Sequence, residues 1–170
     1  MSETGNQSTF VLPPSVVTKV DISRLISEMQ QLDNDIITRD ARMKAGATIT
    51  DELTLSEPLQ DFLAANSLEV GETNERAELI NRLRQFKSSA PVVHVTFAAP
   101  VDLESLRVIA AWFREKVHPQ SIVSVGLQPS LIGGIYIRTP NHIHDFSIRA
   151  QLAGHRDIII SEVEALRGSK

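Results

Sequence analysis

Residues 127–149 read LQPSLIGGIYIRTPNHIHDFSIR, and the fold turns on whether this stretch is a reactive site or a pair of strands. β-Branched residues cluster in LIGGIYIRT (131–139) and alternate with polar ones in HIHDFSIR (142–149), which predicts two strands joined at Pro140-Asn141. Proline's fixed negative φ argues against a tight type I′ loop and for a slightly longer turn with Asn141 left-handed. Strand alternation places His142 and His144 on one face and Asp145, Ser147 and Arg149 on the other. A Ser–His–Asp relay needs its histidine between the other two groups, and this parity separates them. Asp145, Ser147 and Arg149 instead suit surface hydrogen bonding or pairing with a partner chain.

The pair Gly133-Gly134 does not form a phosphate cradle, because such loops run from a strand into a helix N-terminus and these glycines enter a strand. Their expected role is steric: a bulge, or room for a neighbouring chain to come close. His142 and His144, taken with His94, would offer three imidazoles to a metal, as in a small metal protein or enzyme. H-x-H alone is a weak ligand spacing, and no fourth ligand or helical histidine pair accompanies it. The expectation is therefore no metal site and no cofactor. His118 precedes Pro119 at a predicted helix end, where an imidazole favours the last carbonyls. No paired carboxylates, Walker loop or dinucleotide fingerprint occurs elsewhere, and no catalytic residue is expected.

Upstream of this stretch, VVHVTF (92–97) predicts a strand with Val93, Val95 and Phe97 on one face and His94 and Thr96 on the other. Asp102 is placed to cap a helix with a stripe of Leu103, Leu106, Ile109, Ala110, Phe113 and Val117, ended by Pro119. SIVSVGL (121–127) predicts another strand. Downstream, one helix is expected over about 150–167, carrying Leu152, Ile159, Ile160, Val163 and Leu166. The order over 91–167 is β-α-β-β-β-α.

Before residue 88 the apolar spacing is helical. DISRLISEMQQLDNDIITRDARMKAG (21–46) has Asp21 as the expected N-cap and Gly46 as the stop. Ile22, Leu25, Met29, Leu32 and Ile36 follow steps of 3, 4, 3 and 4, a narrow seam continued by Met43. Two uses fit it: folding back on its own domain, or docking on a partner helix. A second helix is expected from Ser56-Glu57-Pro58, burying Leu59, Phe62 and Leu63 before Asn66. A third is expected over 74–87, with Leu79, Ile80, Leu83 and Phe86 inward. The predicted class is α+β: a flexible tail (1–14), a small helical domain (15–88) and a C-terminal α+β domain (91–167).

The 170 residues are 42% hydrophobic and 22% charged, close to the globular average, so disorder is expected only at the ends. Residues 1–90 carry nine Lys/Arg against fourteen Asp/Glu, and residues 91–170 carry eight against seven. Neither half gathers the basic surface that nucleic acid requires. No apolar run reaches the roughly 20 residues of a membrane span, so direct insertion is not expected. The polar opening MSETGNQSTF, with Glu3 and no basic residue, reads as neither a secretory signal nor a transit peptide. The lack of cysteine excludes disulfides, thiolate metal sites and cysteine nucleophiles within the sequence.

One resemblance draws these elements together. Pro129, Ser130, Leu131, Ile132, Gly133 and Gly134, a β-branched strand ending at Arg138, then Asp145, Ser147, Ile148 and Arg149 leading into a helix, form a pattern. It resembles the C-terminal domain of the F-type ATP synthase delta subunit, or oligomycin-sensitivity-conferring protein, over about residues 91–152. Phe146 and Pro140 stand where that family usually has glycine, and the helical part is shorter than the family's six-helix bundle and lacks its Arg-Tyr-Ala opening. The resemblance implies a non-catalytic peripheral-stalk subunit supporting proton-driven ATP synthesis. It also implies helices that bind the alpha subunits, a C-terminal domain that holds subunit b, and a place at the cytoplasmic face of a bacterial plasma membrane. It makes Pro129, Leu131, Gly133, Gly134, Arg138, Asp145, Ser147 and Arg149 candidate interface residues. The alternative is a free-standing α+β adaptor in another complex.

Overall fold

A computed structural model describes residues 10–46 and 53–168. Three helices come first: α1 (Lys19–Lys44), α2 (Glu57–Ala65) and α3 (Thr73–Ser89). They are followed by β1 (Val92–Phe97), α4 (Leu103–Lys116), β2 (Ile122–Leu127), a 3-10 turn at Pro129–Leu131, β3 (Ile135–Arg138), β4 (Ile143–Asp145), α5 (Ile148–Gly154) and α6 (Arg156–Gly168). The fold is α+β, as the sequence predicts. It divides into two compact units, one holding the described part of Met1–Pro91 with Leu106–Ile122, the other Val92–Ser105 with the described part of Val123–Lys170.

In the first unit α1 packs mainly on α3 and also on α2. Ile22, Leu25, Met29 and Leu32 are buried, Ile36 is half-buried and Met43 is exposed. Ile26 is buried as well, so the stripe is broader than a heptad seam. That width suits burial in a common core: Leu59, Phe62 and Leu63 of α2 and Leu79, Ile80, Leu83 and Phe86 of α3 are all buried too. In this fold the seam is covered from within the chain. Arg76 of α3, itself buried, donates to Asp33 of α1 at 2.7 Å and to the Thr73 hydroxyl at 3.0 Å, tying the two helices by a charged contact.

The caps follow from short side chains. Thr18, not Asp21, is the N-cap of α1; its hydroxyl accepts from the Asp21 amide at 3.3 Å, and Asp21 accepts from the Thr18 amide at 2.8 Å. Asp21 therefore takes the third helical position of a capping box. Ser56 caps α2, with proline in the first turn, as expected. Gly46 follows the end of α1 at φ +82°, a left-handed position that suits glycine.

Residues 10–14 differ from the flexible tail expected of them. Phe10 and Leu12 are buried, because the Phe10 ring lies 5.3 Å from Phe62 and 5.7 Å from Phe86. The division of the chain also differs from a cut near residue 90: α4 from Leu106 onward belongs with the helical unit, and its Ala110 and Phe113 are buried. Leu103 and Val117, expected on the same inward stripe, are exposed.

The sheet order is β2-β1-β3-β4, with β1–β3 and β3–β4 antiparallel. The Ile122 amide donates to the Pro91 carbonyl and the Gln128 amide to the Phe97 carbonyl. Both bonds advance the two strands in the same direction, which makes β1 and β2 parallel, as a strand–helix–strand crossover requires. Val93, Val95 and Phe97 are buried on one face, matching the alternation in VVHVTF.

Three elements near the C-terminus are shorter than expected. The third strand begins only at Ile135, because Pro129–Leu131 turn and Ile132 stands at φ +67°. The fourth strand ends at Asp145, where Ser147 starts α5. The single last helix is two, interrupted at His155 directly after Gly154, a residue that weakens helices. The Pro140-Asn141 connection is tight, and Asn141 is not left-handed. The Thr139 amide donates to the His142 carbonyl at 2.9 Å and the Thr139 hydroxyl accepts from the His142 amide at 3.0 Å. That side-chain bond closes the turn without a positive φ.

Candidate subunit interface

The chemically dense stretch is a turn, a hairpin and a helix start. Ser147 is fully buried and its hydroxyl accepts from the Ala150 amide at 3.1 Å, capping α5. Asp145 accepts from the Ser147 amide at 2.9 Å. The Ser147 hydroxyl and amide, helped by the Arg149 charge, hold the Asp145 carboxyl below its ordinary value. Asp145 and Ser147 thus do not stand side by side on a strand as a surface pair. They form the cap that turns the chain from β4 into α5.

The glycines serve the same corner. Gly134 has φ +83°, and a Cβ there would collide with the Phe146 carbonyl oxygen. A Cβ on Gly133 would come within 2.6 Å of the Ile148 side chain. The Ile148 amide donates to the Gly133 carbonyl at 3.0 Å and the Phe146 amide to the Ile135 carbonyl at 2.9 Å. The close approach that the glycines allow is to this chain's own 146–148 segment. Leu131 is buried beneath the turn, while Pro129, Arg138 and Arg149 are exposed. Leu131, Tyr136, Asp145, Arg149 and Ala150 line a shallow cleft beside α5.

Register separates the histidines. His94 pairs with Arg138, which pairs with Ile143, so these three share a face. His142 and His144 flank Ile143 and point to the opposite face. His94 is therefore unable to join them around one metal. The His142 and His144 rings lie 6.2 Å apart, and the His144 ring stacks on Phe146 at 5.9 Å. At the predicted helix end, the His118 ring nitrogen Nδ1 accepts from the Gln120 amide at 3.1 Å.

A family model described as the ATP synthase delta (OSCP) subunit matches residues 22–158, most of the chain and parts of both units. The chain belongs to the ATP synthase delta (OSCP) family. Among curated delta subunits, that of Cupriavidus pinatubonensis is 32% identical over 79 residues, covering 46% of this chain and 44% of the relative. That of Myxococcus xanthus is 25% identical over 127 residues, covering 71% and 69%. The chain thus spans less than half the length of the Cupriavidus relative it matches.

Beyond the Gly133-Gly134 corner, the last two helices expose apolar side chains. α5 and α6 have no buried residue among those described. Ile148 and Leu152 of α5, and Ile159, Val163 (50% exposed) and Leu166 (72%) of α6, carry large apolar side chains in solvent. The helical spacing of these residues does not by itself say which way they face. A signal of exposure lies in the Ile158-Ile159-Ile160 run, since three successive helical residues point about 100° apart and cannot all face one core. No helix among the described residues is long and apolar enough to cross a membrane.

Proposed function

We propose that this chain is a delta-type peripheral-stalk subunit of an F-type ATP synthase, joining the catalytic head to subunit b and carrying out no chemistry itself. The observation that carries this reading is the family match over residues 22–158, which takes in both the helical unit and the sheet. In this reading the helical unit meets the alpha subunits, and the exposed apolar faces of α5 and α6 meet the helical end of subunit b. Such faces are what a helix-binding surface needs, since apolar area removed from water supplies most of the attraction between helices. The complex would stand at the cytoplasmic face of the plasma membrane and serve proton-driven ATP synthesis. As a static link, the subunit has to hold tightly against rotor torque.

The test is affinity recovery of the tagged full chain from membranes of its own organism under gentle detergent. The expected result is co-purification of ATP synthase alpha and b subunits. Recovery of neither would defeat the stalk reading, and recovery of an unrelated assembly would favour the adaptor.

A further inference from the structure

Residues 10–17, FVLPPSVV, lie before the range that matches the family model, so the family likeness does not account for them. They are nevertheless among the most heavily tethered residues of the helical unit. Phe10 sits between Phe62 and Phe86, with the Arg82 guanidinium 5.1 Å above its ring. Asn66, the C-cap of α2, reads both polar groups of Val11: its Oδ1 accepts from the Val11 amide at 2.8 Å and its Nδ2 donates to the Val11 carbonyl at 2.9 Å. The Ser15 hydroxyl donates to Asp61 at 3.2 Å. Val16 and Val17 are fully buried.

The other side of the segment is held by α4 and the loop after it. Arg114 donates to the carbonyls of Leu12 at 3.3 Å and Pro13 at 3.2 Å, to that of Val16, and to its own loop at Ser121 at 3.3 Å. Gln120 donates to the Phe10 carbonyl at 3.3 Å. Among the described residues no carboxylate pairs with Arg114; main-chain carbonyls of the segment take up its donors. Burial pushes the guanidinium pKa below its ordinary value, which agrees with a charge removed from water. A planar fork with five donors can hold several carbonyls at once, and an ammonium cannot reproduce that geometry.

We propose that residues 10–17 are a strap that fastens α4 into the helical unit as its fourth helix, with Arg114 as the pin. A helical part of only three helices gains in this way a helix from the strand–helix–strand crossover. α4 lies in sequence between β1 and β2, so the strap holds the helix of the strand–helix–strand crossover. This inference does not rest on the stalk reading and survives if that reading fails.

Hydrogen exchange read peptide by peptide on the full chain tests it, using Arg114→Lys, Arg114→Gln and Phe10→Ala. The expected result is exchange at least about tenfold faster in residues 10–17 and in α4 for each variant, with β3 and β4 unchanged. The double variant Phe10→Ala/Arg114→Gln should exceed the larger single effect only slightly, since both release one strap. Trp112, the one tryptophan, lies on α4 beside Phe113 at 5.3 Å, so its fluorescence gives a second readout. Exchange rising only in residues 10–17 would overturn the proposal, because the strap would then fray without loosening α4. A uniform rise over the whole chain, or loss of folding in the Arg114→Lys variant alone with Phe10→Ala silent, would overturn it equally.

Discussion

The helices that precede the sheet in sequence and those that follow it use their apolar residues in opposite ways. In the helical unit Met29, Leu59 and Phe62 are fully buried, and even the segment before α1 is packed down. In α5 and α6 no described residue is buried, although their isoleucines, leucines and valine are as apolar as those of α1. Hydrophobic content alone therefore does not tell a core helix from one whose apolar side chains are exposed. What differs is whether other parts of the chain supply a matching surface. α1 meets α3 and α2, whereas α5 is held at its first turn by the Ser147 cap and the Gly133-Gly134 corner.

The largest expected effects should divide along that line. Replacing Met29 or Phe62 with alanine should cost about 3–5 kcal/mol in chemical denaturation of the isolated chain, because each leaves a cavity. Replacing Val163 or Leu166 with alanine should change stability by less than about 0.5 kcal/mol. Equal losses at the two ends would break the comparison. Next in size is Arg76→Ala, expected to cost about 2–3 kcal/mol, since a buried charged contact to Asp33 is lost.

A smaller pair of substitutions sharpens the view of the corner before α5. Gly134→Ala is expected to destabilise by about 1–3 kcal/mol, combining a positive φ with a collision at the Phe146 carbonyl. Gly46→Ala has a similar φ but open space around its Cβ, so a loss of only about 1 kcal/mol is expected. Thermal unfolding of the two variants separates close approach from backbone strain.

The smallest effect is the pH dependence of the α5 cap. The folded Asp145 carboxyl titrates below its ordinary 3.8, so the folded chain binds this proton less readily than the unfolded chain does. Its contribution is fully present above that ordinary value and is lost as pH falls through the lower folded value. The gap in melting temperature between the wild type and Asp145→Asn should accordingly narrow on acidification from about pH 6 to about pH 3. A gap that stays constant would remove the carboxylate from the cap.

The sequence carried the helices of the first unit well, because Leu59, Phe62, Leu79 and Leu83 mark periodic faces and Ser56 and Asn66 bound α2. The strand 92–97 was legible from alternation alone. What alternation hides is where a strand stops. Ser147 continues the period-two pattern of β4, yet its hydroxyl is used to start a helix, a choice made by the Gly133-Gly134 corner packed against it. Face assignments for Ser147 and Arg149 fail for that reason, and the pairing of His94 with Arg138 depends on register between distant strands. The tethering of Phe10 was hidden because a single aromatic in a polar opening has no period; its partners Phe62, Phe86 and Gln120 are far along the chain.

The most direct measurement is recovery of ATP synthase subunits by the tagged full chain, wild type beside an Ile159→Asp/Val163→Asp variant, with thermal unfolding of both. The account predicts that the wild type recovers alpha and b, and that the variant melts at the same temperature, keeps alpha and loses b. Undiminished recovery of b by the variant, or recovery of neither subunit by the wild type, would contradict it.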